Sequence, residues 1–174
     1  MIRVRIAVSG THASGKTTLI EDFLAAHADY AFEPEPYEWL DQMSDPPAAD
    51  DFYRQLEICV ERLSTHERGA RVIAERSPVD FLAYLRALDA RDLIEPALEL
   101  VATGMRHVDL LVVLPLNDTD RIDVPESEDP ALREAMNDQL LEIIGGYELG
   151  CAIIEIAGPR DVRLAVLERA VATR

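Results

Sequence analysis

A chain of 174 residues, 48% hydrophobic and 29% charged, has the size and composition of one globular domain with a substantial core, which excludes collagen-like, disordered and disulfide-scaffold classes. Seventeen basic against 33 acidic residues leave a formal charge of −16, which repels nucleic-acid backbones and anionic membrane surfaces, so neither is expected as a partner. The opening MIRVRIAVSG lacks the apolar core and cleavage site of a secretory signal, no apolar run is long enough to cross a bilayer, and Cys59 and Cys151 are read as packed, reduced thiols; a cytoplasmic protein is expected.

Ile2 to Val8 alternates and then turns apolar, which predicts a strand entering the middle of a sheet and ending at Gly10. Gly10-Thr11-His12-Ala13-Ser14-Gly15-Lys16-Thr17 follows, matching the phosphate-binding pattern G-x-x-x-x-G-K-[ST]. Of the 17 basic residues 16 are Arg, so Lys16 is the one lysine of a chain that uses Arg everywhere else. Thr18–Ala26 predicts a helix with Leu19, Ile20, Phe23 and Leu24 on one face, completing the strand, loop and helix such a motif requires. Downstream the pattern predicts a strand near Tyr30–Phe32, a helix near Asp50–Glu67, a strand Arg71–Ala74, and helices near Val79–Leu88 and Leu93–Ala102. A strand Val108–Leu114, a helix near Pro130–Ile144, a strand Ala152–Ile156 and a helix near Arg160–Ala172 complete the chain. Strands separated by helix-length segments predict an α/β fold, a parallel sheet covered on both faces with right-handed crossovers.

Two stretches break the regular pattern. No Lys or Arg occurs from Thr17 to Tyr53, while Glu33, Glu35, Glu38 and Asp41 crowd the end of the second strand. In residues 117–130 six acids surround Arg121, a stretch read either as a solvated surface loop or as a lid over the phosphates.

The motif dictates its own chemistry. Its glycines let backbone N–H groups converge on phosphates, Lys16 reaches the outer phosphates, and the Thr17 hydroxyl takes a place on Mg²⁺. Gly10, Thr11, His12, Ala13, Ser14, Gly15, Lys16, Thr17 and Thr18 are therefore the expected nucleotide-binding residues, with ATP and Mg²⁺ as cofactors. A second acid beside the metal is expected at the end of a neighbouring strand, and Val72-Ile73-Ala74-Glu75 supplies one. Asp109 competes but starts its strand, at the edge of the sheet opposite to where parallel α/β sites form. The planar fork of Arg76 suits either the acceptor hydroxyl or the γ-phosphate, or simply pairs with neighbouring acids. The four histidines show no metal-ligand spacing.

Glu75-Arg76-Ser77 resembles the E-R-S segment that deoxyribonucleoside kinases carry after their third strand. Glu33-Pro34-Glu35-Pro36-Tyr37-Glu38-Trp39 resembles their E-P-x-x-x-W segment, and Phe52-Tyr53-Arg54-Gln55-Leu56 the helix whose Gln hydrogen-bonds the nucleobase. The resemblance implies a P-loop, nucleoside/nucleotide kinase-like fold with a five-stranded parallel core, a skeleton shared with nicotinamide riboside kinase-like domains and AAA-type small ATPases. It also implies a homodimer, and adenine near Gly158 after the last strand. Glu33 lies one residue too far from Trp39 for the family spacing and Glu35 one too near, so either aligns as the acceptor carboxylate; Glu33 is the first choice by its place at the strand end. The family's arginine-rich lid is replaced by acids, leaving Arg121 and Arg133 to neutralise the transferring phosphoryl group.

Trp39, with Tyr37, Phe52, Tyr53 and Phe81, offers flat faces for a ring, and Gln55 a polar contact. A Glu-rich stretch without Lys or Arg suits a neutral or cationic acceptor better than a nucleoside monophosphate, whose phosphate is doubly charged. The expected activity is ATP-dependent phosphorylation of a small hydroxyl compound, nucleoside-like. The alternatives are an ATPase or switch without an organic acceptor, and a kinase of a nucleotide or of another metabolite. Asn117-Asp118-Thr119-Asp120 lacks the Lys of a guanine-binding N-K-x-D.

Overall fold

The computed structural model describes residues 3–116 and 129–174. Five parallel strands, β1 (Arg5–Ser9), β2 (Ala31–Glu33), β3 (Val72–Glu75), β4 (Leu110–Val113) and β5 (Ala152–Glu155), form one sheet in the order β2-β3-β1-β4-β5. β1 is central, paired to β3 through Val8↔Glu75 and to β4 through Ser9↔Val113. Strands buried on both faces have no reason to alternate in polarity, and β1, β3 and β4 are buried throughout.

Among the described residues six helices cover the sheet: α1 (Lys16–Ala26), α2 (Ala49–Ser64), α3 (Pro78–Ala87), α4 (Arg91–Met105), α5 (Pro130–Gly146) and α6 (Arg160–Ala172). The period of two along the central strands divides the core between the faces. Ile6 and Val8 of β1 with Leu110 and Val112 of β4 pack against Leu19, Ile20 and Phe23 of α1 and Leu167 of α6. Ala7, Leu111 and Val113 face α2, α3, α4 and α5. α3 is buried along Pro78–Leu85, with neighbouring helices around it, which explains why its apolar residues are not confined to one face.

The predicted elements are present, with ends displaced by a few residues. One more appears: a 3₁₀ turn, Pro36–Trp39, directly after β2, begun by Pro36 with its preset φ. Cys59 and Cys151 are free thiols. Among the described residues no helix is long and apolar enough to cross a membrane.

β1 runs on through α1 to β2 on one side, whereas its neighbour β3 runs on through α3 and α4 to β4 on the other, so the connections leaving these two adjacent C-terminal ends diverge. A crevice opens there, and this is where parallel α/β sheets bind ligands.

Candidate functional site

The loop after β1 fills that crevice. Gly10 sits at φ +153°, and a Cβ there would lie 2.6 Å from Ser14 Oγ and 2.8 Å from the Leu114 carbonyl, so a side chain would occupy space the loop needs. Gly15, at φ +90°, then turns the chain into α1, whose first N–H groups have no intrahelical partner and form an anion site. Lys16 opens the helix and is buried; its Nζ donates to the Thr11 carbonyl at 2.9 Å and lies 4.0 Å from Glu35 Oε1. Burial, then the Arg76 charge, lower the Lys16 ammonium to about 8. Thr17 Oγ1 donates to Glu75 Oε1 at 2.7 Å, joining the loop to the end of β3. Burial and the Glu35 charge push the Glu75 carboxyl above the usual range despite that hydrogen bond.

Arg76 is only 2% exposed and holds a left-handed φ of +77°, a conformation that costs a non-glycine residue. Its Nε meets Glu35 Oε1 at 2.8 Å, its Nη1 donates to the Gly10 carbonyl at 3.0 Å, and Nη1 lies 3.6 Å from Asp80. The guanidinium also stands 5.3 Å over the Tyr84 ring, which stacks on Phe52. Arg76 thus ties the loop to Glu35 from inside the protein. Although burial opposes it, the Arg76 charge, with Lys16 and His12, holds the Glu35 carboxyl below the usual range. Burial and Arg76 lower His12 to about 4, leaving its ring neutral near pH 7.

Asp80, a residue missed in the sequence, is wholly buried. It accepts from Ser9 Oγ at 2.5 Å, from the Gly10 backbone N–H at 2.9 Å and from the Ser77 backbone N–H at 2.8 Å. The spacing Ser77-x-x-Asp80 is a capping-box signal and was the available clue. Arg163 was missed too: from α6 it donates to the Ser14 carbonyl at 2.8 Å and the Gly158 carbonyl at 2.6 Å. Arg133 does the same from α5, to the His12 carbonyl at 2.8 Å and the Ala13 carbonyl at 3.2 Å. Three consecutive loop carbonyls, those of His12, Ala13 and Ser14, are therefore held from α5 and α6.

The remaining expected residues divide. Glu35 and Glu75 meet Lys16 and Thr17, whereas Glu33 is taken up by Arg62, at 2.8 and 3.1 Å, and by His66 at 2.8 Å. Trp39 carries the Arg62 guanidinium 4.1 Å over its ring. Gln55 is buried with its Nε2 3.9 Å from the Met43 sulfur, and Phe52 and Phe81 belong to the core. Arg121, and the expected lid up to residue 128, lie outside the described residues. Asp109 stands at the opposite edge, bound to Arg5.

Two cavities adjoin the loop. One, about 180 Å³, is lined by Ala13 to Thr18. The other, about 300 Å³, lies between His12, Lys16 and Thr17 on one side and Phe32, Glu35, Tyr37 and Glu38 on the other, with Glu75 also in its wall. Ala13, Lys16 and Thr17 border both. Among the described residues no three His, Cys, Asp or Glu side chains gather as a metal site.

The model of a family described as an AAA domain matches residues 5–163. The chain belongs to that AAA domain family. No curated protein matches the chain. Among solved structures, NadR protein in complex with NR superposes with a TM-score of 0.75 at 18% identity over 99% of this chain and 51% of the other. This AAA domain therefore spans about half the length of the NadR chain it matches. Deoxyadenosine kinase from M. mycoides with bound dATP gives 0.73 at 12% identity, over 97% of this chain and 99% of that one. Thymidylate kinase from Candida albicans gives 0.70 at 15% identity, over 99% and 92%. The fold is the P-loop fold of nucleoside and nucleotide kinases, as the sequence motifs implied.

Proposed function

We propose that this AAA domain transfers the γ-phosphoryl group of ATP to a hydroxyl of a small, nucleoside-like molecule. The observation that carries this reading is the pair of cavities meeting at Ala13, Lys16 and Thr17: one has the amide-lined character of a phosphate site, and the other opens onto carboxylates and aromatic rings. A hydrolysing switch has no need of the second.

The residues divide the work. Lys16 and the N-terminal amides of α1 hold the outer phosphates. Mg²⁺ fits the hydrogen-bonded oxygens of Thr17 and Glu75, hard donors of the kind it prefers, and when bound it withdraws charge from the phosphate oxygens. Glu35, beside Lys16 in the wall of the larger cavity, orients the acceptor hydroxyl. As the acceptor oxygen bonds to the γ-phosphorus, the bond from phosphorus to the β–γ bridging oxygen breaks and its electron pair leaves with ADP. The hydroxyl proton passes to the Glu35 carboxylate. Arg76 fixes Glu35 against the loop, and Arg133 and Arg163 fix the loop itself.

The test is ADP release from the purified protein with Mg-ATP, alone and against a panel of nucleosides and nucleoside monophosphates. Stimulation by one acceptor, with its phosphorylated product identified, is the expected result. ADP release that is substantial without acceptor and unchanged by every compound would replace this reading with a hydrolysing switch.

A further inference from the structure

The larger cavity specifies its occupant further, on the reading that it receives the acceptor. At about 300 Å³ it sits at the small end of ligand sites, which run from roughly 300 to 1,000 Å³. Three carboxylates, Glu35, Glu38 and Glu75, stand in its wall against one ammonium, Lys16, whose Nζ donates to the Thr11 carbonyl. Phe32 and Tyr37, 42% and 49% exposed as residues, line the same space. An acceptor carrying a phosphate would need a cation here, and among the described residues the nearby cations are committed. Arg76 is held by Glu35 and the Gly10 carbonyl, Arg62 by Glu33 and Trp39, and Arg133 by two loop carbonyls. No Lys or Arg occurs from Thr17 to Tyr53, the segment that builds the far wall.

Aromatic faces beside carboxylates recognise one chemistry above others. A positive charge gains from the ring quadrupole and from the carboxylate together, and an organic cation sheds its water more readily than a metal ion. We propose that the acceptor is a cationic alcohol, a compact molecule that bears its hydroxyl near a quaternary or protonated nitrogen and seats that nitrogen between Tyr37, Phe32 and Glu38. The hydroxyl then points to Glu35 and the phosphates. Glu38 and Tyr37 are the specificity-determining residues, since Glu35 is engaged by Arg76 and Glu75 by Thr17.

Pairs of alcohols alike in shape and different in charge test this. Choline against 3,3-dimethylbutan-1-ol, and 3-(hydroxymethyl)-1-methylpyridinium against 3-methylbenzyl alcohol, are titrated calorimetrically into the protein with Mg²⁺ and a non-hydrolysable ATP analogue. At least one cation is expected to bind tenfold or more tightly than its neutral partner, with the ratio reduced severalfold in Glu38→Gln, in Tyr37→Leu and at high salt. Both positions are exposed, so these variants test the pocket and not the fold. Equal affinity within both pairs, preference for the neutral members, or no binding of either cation would overturn the proposal. Phosphoryl transfer is followed separately. A neutral nucleoside phosphorylated with higher kcat/KM than any cation would overturn the charge preference and leave the kinase standing. Cation preference without transfer to any alcohol would remove the kinase and leave the cation pocket.

Discussion

Asp109 and Glu75 are carboxylates at opposite ends of the same sheet, each beside a buried basic residue, and they behave in opposite ways. Asp109, ahead of β4, accepts from the Arg5 backbone N–H at 2.9 Å, from its Nε at 3.0 Å and from its Nη2 at 2.8 Å. Burial works against it, yet the Arg5 hydrogen bonds hold Asp109 below the usual carboxylate range. Glu75, closing β3, has one hydrogen bond from a neutral hydroxyl and faces another carboxylate, and its pKa is raised. A closed pair stabilises the fold. On the proposed reading, an acid left with lone pairs, beside a second acid and a helix N-terminus, is free to take a metal ion that carries a phosphate. The difference follows from topology: the C-terminal ends of parallel strands meet loops that leave in opposite directions, and the N-terminal ends do not.

The strongest way to break this comparison is Lys16→Ala, expected to lower phosphoryl transfer by about three orders of magnitude or more. Turnover within tenfold of the parent would mean the loop does not hold the reacting phosphate. Next, Glu35→Gln should reduce transfer by roughly two to three orders of magnitude with ATP binding retained, and Glu33→Gln by only a few fold. Steady-state kinetics on both variants decide, and the reverse order would hand the acceptor to Glu33. At the other edge, Asp109→Asn should cost about 1–3 kcal/mol of stability by urea denaturation while KM for ATP is unchanged, because it leaves Arg5 buried without its charge partner. Arg163→Gln should raise the Kd for ATP about tenfold with kcat nearly constant, the signature of a residue that positions the loop.

The smallest effect is in pH. The Lys16 pKa falls from 10.5 in the unfolded chain to about 8 in the folded one, so between these values unfolding takes up a proton and this group's contribution to stability rises with pH. The charge offered to phosphate falls over the same interval. The kcat/KM for ATP should therefore decline above about pH 8, where an ordinary lysine would keep its charge. A flat profile to pH 10 would contradict the burial of Lys16.

What was legible in the sequence was what is local. The loop announced itself through Gly10, Gly15 and the lone lysine, and Glu75 through an apolar strand that ends in an acid. The order of helices and strands followed from period and punctuation, and the five-stranded parallel core from the family resemblance. The choice between Glu33 and Glu35 was not legible, because it turns on the 3₁₀ turn that follows β2 and on which partner each acid meets. Asp80 and Arg163 were hidden for a related reason: they grip a loop 70 and 149 residues away in the chain, and only the folded sheet brings them to it. Trp39 and Gln55 looked like ring contacts by pattern, yet Arg62 covers one and Met43 lies against the other.

The fate of the γ-phosphate tests the central claim most directly. With γ-labelled Mg-ATP and a panel of neutral and cationic alcohols, the account predicts label in an organic phosphate ester, abolished by Lys16→Ala and strongly reduced by Glu35→Gln. Label found only as inorganic phosphate, at a rate no alcohol alters, would contradict it.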